Sequence, residues 1–220
     1  GLKSFPLILF FLLSLIYFIR FFTSDVSLYT SDGGILGGID RKVSEIPANP
    51  FKEYRLWNKS FLGGEPTAQG LNEYTRTIFV DCLFRFLPRY RSYGLYLVLM
   101  TFCAGWFMFL FLKSLKISRI TALIVGIGYM FAPVYMSFTL AGHLSKMGVI
   151  ALTPLLFYFL EKGMNTGKIK YFLYLSAIMA VTVGTAHLQF VYYAFLSMGL
   201  YFLFRLFFIV KEKDIKQVIY

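Results

Sequence analysis

Long apolar runs separated by short basic connections constrain this chain more than any other feature. Stretches near Pro6–Phe22, Tyr93–Leu112, Ile120–Leu140, Met147–Leu160, Tyr171–Thr185 and Leu188–Val210 approach the roughly 20 residues that a helix needs to cross a bilayer core of about 30 Å. With 58% hydrophobic and 20% aromatic residues and a mean hydropathy of +0.65, a soluble core could not hide them all. Lipid offers no partner to backbone amides, so the spans must be helical. The expected fold is an all-α, polytopic transmembrane helical bundle of about six spans, a single transmembrane domain over residues 1–220. The fourth and fifth runs are short, so their ends are the least defined. The first ends in Phe21-Phe22 without a small-residue cleavage site and reads as an anchor, not a secretory signal.

Charge sets the expected orientation. Lys113, Lys116 and Arg119, then Lys162, Lys168 and Lys170, then Lys211, Lys213 and Lys216 alternate with near-neutral turns, so the positive-inside rule puts the basic connections and the N-terminus in the cytoplasm. Residues 23–92 then form a large extracytoplasmic loop, and its nine Lys/Arg and eight Asp/Glu sit in a segment too long for charge to govern topology. The net charge of +11 is thus mostly topogenic, with anionic lipid as its natural partner. No clustered basic face or recognition motif points to nucleic acid. Arg20 and Arg205, near span ends, are expected to snorkel.

The two histidines, in Ala141-Gly142-His143-Leu144-Ser145-Lys146 and Gly184-Thr185-Ala186-His187-Leu188-Gln189, fall on the same side as the large loop. Titratable groups therefore converge on one membrane face. Within the loop, Ser24-Asp25 leaves the first span, Asp32 precedes Gly33-Gly34, and Ile78, Phe79, Cys82, Leu83 and Phe86 recur at helical spacing before Pro88, predicting a juxtamembrane amphipathic helix. Plainer readings stand beside each candidate: Asp32 as a turn residue, Asp25 as a cap, the histidines as interfacial side chains. Cys82 and Cys103 lie in different compartments, and no cysteine spacing suits a metal.

Ser31-Asp32, Trp57-Asn58, Phe61-Leu62-Gly63-Gly64-Glu65-Pro66, Ala141-Gly142-His143 and His187-Leu188-Gln189-Phe190-Val191-Tyr192-Tyr193 together resemble bacterial YfhO-type membrane proteins, a family similar to the GT-C glycosyltransferases. The resemblance implies a GT-C-like bundle in the bacterial plasma membrane, a polyprenyl-phosphate-linked sugar as donor, an envelope glycan or glycolipid as acceptor, and a catalytic acid in the first external loop. By that resemblance Asp32 is the first choice and Asp25 the second. GT-C loops often carry two acids adjacent or one apart, whereas six residues separate Asp25 from Asp32, so a divalent metal is left open. It also implies a longer protein, of which this chain reads as an N-terminal fragment.

Transfer from a lipid phosphate needs a base near the acceptor hydroxyl and positive charge near the departing phosphate. Asp32 suits the first; His143, Lys146, His187 or Arg89 suit the second. Pro133 and Pro154, inside the third and fourth runs, are expected to kink helices and open a lipid-lined groove. A non-catalytic membrane scaffold, or a lipid or glycan transporter, remains the alternative. A transporter would be expected to show internal repeats and mid-membrane charge, which the sequence does not display clearly.

Overall fold

The computed structural model describes residues 4–24, 57–58, 65–66, 89–185 and 187–219, with the side chains of 89–93 and 212–219 left aside. Its elements are α1 (Phe5–Tyr17), α2 (Arg20–Thr23), β1 (Trp57–Asn58), β2 (Glu65–Pro66), α3 (Arg89–Ser114), α4 (Arg119–Met130), α5 (Pro133–Ala141), α6 (Leu144–Thr166), α7 (Ile169–Val183) and α8 (Leu188–Ile219). The architecture is a helical bundle. Its one departure among the described residues is a two-residue antiparallel pair, Trp57 opposite Pro66 and Asn58 opposite Glu65.

Among the described residues, four segments are long and apolar enough to cross a membrane: Gly94–Ser114, Arg119–Ala141, Leu144–Thr166 and Leu188–Lys211. The apolar helices Phe5–Tyr17 and Ile169–Val183 are shorter. The outward side chains agree with a lipid setting, since Ile120, Ile124, Leu173, Leu200 and Phe207 are all exposed, a surface that suits hydrocarbon better than water. The fourth run extends past its expected limits at both ends, to Leu144 and Thr166.

α3 is the hub, packed against α1, α4 and α6, and α6 in turn carries α5, α7 and α8. At the hub, Phe10 of α1 fills a slot between Gly105 of α3 and Gly126 of α4. A Cβ at either glycine would come within 2.8 Å or 2.7 Å of the Phe10 ring. Close approach through small residues is how helices gain contact where no hydrophobic drive separates protein from lipid.

The two prolines behave differently. Pro133 separates α4 from α5, with Ala132 as an uncapped N-cap, because proline supplies no amide to continue the ladder. Pro154 lies inside a continuous α6, its missing donor absorbed within the helix. The expected kink is thus a break at one site only.

Short turns make successive helices antiparallel. The connections α3–α4 and α6–α7 share one end of the bundle with Lys113, Lys116, Lys168 and Lys170. The connections α5–α6 and α7–α8 share the other with His143 and His187. The hydroxyl of Tyr96, near the start of α3, donates to Leu144 O at 3.0 Å, and Phe21 crowds the Cα of Gly94. Ser24 and Arg89 therefore both lie at the histidine end.

Candidate functional site

The histidine end is built from two helix starts. α5 stops at Gly142, which takes the left-handed conformation with φ 80°, a backbone state that costs a Cβ-bearing residue more than glycine. The next amide, that of His143, folds back to Phe138 O at 2.9 Å, and His143 becomes the N-cap of α6. His187 does the same for α8: the Phe190 amide donates to its Nδ1 at 3.4 Å and the Val191 amide to its carbonyl at 3.1 Å. With Nδ1 accepting, the neutral ring carries its proton on Nε2.

Aromatic rings join the two starts. Phe138 meets Phe190 edge-on at 5.7 Å, His143 lies 6.2 Å from Phe138, and His187 lies 4.9 Å from Phe190. Lys146 Nζ stands over both phenyl rings, 5.4 Å from Phe138 and 5.8 Å from Phe190. Gly148 admits this closeness, since a Cβ there would meet the Tyr96 hydroxyl at 3.0 Å and Thr185 at 3.2 Å. The structure thus brings together His143, Lys146 and His187, three of the residues singled out from sequence.

Among the described residues, the charge carried by Lys146 and His187 at this end is of one sign. His187 is held below its ordinary value, by burial first, then by the positive charge of Lys146 and by His143, partly opposed by a hydrogen bond to its own backbone. Lys146 sits in the first turn of α6, where the helix dipole disfavours a cation by roughly 0.3–1 kcal/mol. Among the described residues no carboxylate pairs with Lys146 or His187. Two helix N-termini and a lysine therefore face an end of the bundle that an anion would complete.

Arg89 begins α3 at the same end, and nothing is assigned to its side chain. Asp25, Asp32 and the amphipathic helix expected before Pro88 lie outside the described residues. Among the described residues no three His, Cys, Asp or Glu side chains gather as metal ligands. Cys103 is a free thiol within α3.

A second polar cluster occupies the lysine end, and it corrects an expectation. Arg205 does not snorkel: its Nε donates to Glu161 Oε2 at 3.0 Å and its Nη2 to Oε1 at 2.8 Å. The Tyr201 hydroxyl donates to Oε2 at 2.7 Å and Asn165 Nδ2 to Oε1 at 2.9 Å. A guanidinium fork on a carboxylate whose side chain is 3% exposed is a better partner than distant headgroups. Two signals in the sequence pointed here: Glu161 is the only acid between residues 93 and 211, and the pairs His143/His187 and Glu161/Arg205 share one spacing, 44 residues for the ion pair.

No family model, curated protein or solved structure matches this chain. The functional reading rests on the geometry and on the sequence resemblance.

Proposed function

We propose that this chain is a GT-C-like membrane glycosyltransferase of the YfhO type, moving a sugar from a polyprenyl-phosphate donor to an envelope acceptor on the extracytoplasmic face. The observation that carries the reading is the meeting of His143, Lys146 and His187 at the end that also holds Ser24 and Arg89, the residues flanking the segment that bears Asp25 and Asp32. On this reading Phe5–Tyr17 and Ile169–Val183 complete a six-span, multi-pass topology in the bacterial plasma membrane. The positive-inside rule then directs the lysine end to the cytoplasm.

In the proposed step the acceptor oxygen attacks the anomeric carbon and the bond from that carbon to the phosphate oxygen breaks. Asp32, with Asp25 as second choice, takes the acceptor proton. The phosphate leaves with the bonding pair, its charge met by Lys146, by the Nε2–H of His187 and by His143 and Arg89. An anion favours the protonated imidazole, so His187 becomes a stronger donor once phosphate is bound. Phe138 and Phe190 place this polar group beside apolar surface, which suits a headgroup joined to a polyprenyl tail.

The test is sugar transfer by the purified, membrane-inserted protein. Asp32→Asn is expected to abolish transfer while leaving insertion intact; unchanged transfer would remove Asp32 as the base. A second reading, a carrier for a phosphate-linked lipid or glycan, draws on the parallel hairpins α4/α5–α6 and α7–α8, each turning at a histidine, as repeat-built carriers do. Flux of labelled lipid across vesicles without any sugar transfer would favour the carrier.

A further inference from the structure

The carboxylate of Glu161 accepts four hydrogen bonds, two from Arg205, one from Tyr201 and one from Asn165. Four bonds exhaust its acceptor capacity. It therefore has nothing left for a ligand, although an ionisable group inside a membrane helix ordinarily points to one. Its partners tie α6 to α8, since Glu161 and Asn165 belong to the first and Tyr201 and Arg205 to the second. Tyr201 is itself held between Phe111 at 6.1 Å and Phe157 at 5.3 Å, so the clamp is braced on α3 as well.

The clamp sits at a special height. α6 and α8 run in the same direction, each begins just after a histidine, and Glu161 and Arg205 occupy the same position along their helices, because the 44-residue spacing of the ion pair is also that of His143 and His187. Each helix then spans roughly 25 Å from imidazole to ion pair at 1.5 Å per residue. Val149, Val191 and Ala194 pack between them as an apolar seam. Such a seam holds by van der Waals contact, which is short-ranged and non-directional. A bidentate ion pair does not slide.

We infer that Glu161 and Arg205 are positioning residues that set the axial register of α6 against α8 and thereby hold Lys146 beside His187 at the opposite end. The inference rests on the anion-site reading above. A slip of a single residue would move the start of α8 by about 1.5 Å along the axis and turn it by about 100°, enough to take Phe190 off Phe138 and His187 away from Lys146.

Two readouts test it. One is the titration of His187 by NMR, clean because the chain has only two histidines and His143→Gln assigns them; among the described residues the charged and titratable groups facing His187 are Lys146 and His143. The other is binding of farnesyl phosphate to the full chain in nanodiscs. Glu161→Gln, which keeps the shape and removes the charge, is expected to return the His187 midpoint toward the ordinary histidine value and to weaken farnesyl phosphate about tenfold. Arg205→Lys, which keeps a cation and loses the fork, is expected to do both to a smaller degree, and it carries the comparison alone if Glu161→Gln fails to insert. Variants that fold like the parent and leave both readouts unchanged would overturn the inference. If the parent binds no farnesyl phosphate yet its His187 midpoint follows the substitutions, the positioning role stands and the phosphate-handling reading falls.

Discussion

The two ends of the bundle handle charge in opposite ways. At the lysine end the carboxylate of Glu161 meets Arg205, Tyr201 and Asn165 and all four of its acceptor positions are filled. At the histidine end Lys146 and His187 share two phenyl rings and no carboxylate among the described residues. A closed network holds a structure together, whereas an open cluster of one sign of charge leaves a vacancy for the other sign. Polar residues in a membrane bundle are thus told apart by what remains unsatisfied around them, not by residue type.

Truncation at the lysine end should have the largest effect on stability. Arg205→Ala leaves Glu161 buried without its counter-ion and is expected to cost about 3–5 kcal/mol, read as the denaturant midpoint in detergent. A loss under about 1 kcal/mol would mean that the pair is only a surface contact and would erase the contrast. Lys146→Gln should do the reverse, changing stability by less than about 1 kcal/mol, the scale of its ring contacts, while weakening lipid phosphate tenfold or more. Equal losses of stability from the two substitutions would make both ends structural.

The pH dependence sharpens the contrast. His187 is held below its ordinary value, so the unfolded chain binds its proton more readily than the folded one. Stability from this group is therefore complete above the ordinary histidine value and is lost as pH falls through the lowered folded value. Thermal unfolding of His187→Gln should show a shallower acid dependence than the parent. Binding of a lipid phosphodiester, whose own charge is constant in this range, runs the other way: it favours the charged ring, so its affinity should rise as pH falls through the same window. The smallest effects belong to the middle of the bundle. The Tyr129 hydroxyl donates to Ile150 O at 2.8 Å, so Tyr129→Phe should cost about 1 kcal/mol. The buried hydroxyls of Tyr135 and Thr101 lie near each other without a well-formed hydrogen bond, so Tyr135→Phe should change stability by less than about 1 kcal/mol.

The helical bundle was legible because an apolar run of span length has one solution in lipid, and the shared end of His143 and His187 followed from counting turns. The limits of α6 were not, since Leu144 lies beside a turn and Glu161, Lys162 and Asn165 look like a helix exit until Arg205 is seen to neutralise the carboxylate. The break at Pro133 and the continuity through Pro154 also escape a residue-by-residue reading, because the local environment decides whether a missing amide is absorbed. The Glu161–Arg205 pair was missed for a related reason: each residue alone suggests a span end, and only their common spacing with the histidines joins them. Asp25 and Asp32 stand on the resemblance alone.

The central claim is that His143, Lys146 and His187 form an anion site for a lipid phosphate. Its most direct test is phosphorus NMR of farnesyl phosphate in nanodiscs holding the full chain, compared with the Lys146→Gln/His187→Gln double variant. The account predicts a saturable shift of the phosphorus resonance with the parent protein at fixed pH, lost in the variant. An identical, saturable shift with both proteins would contradict it.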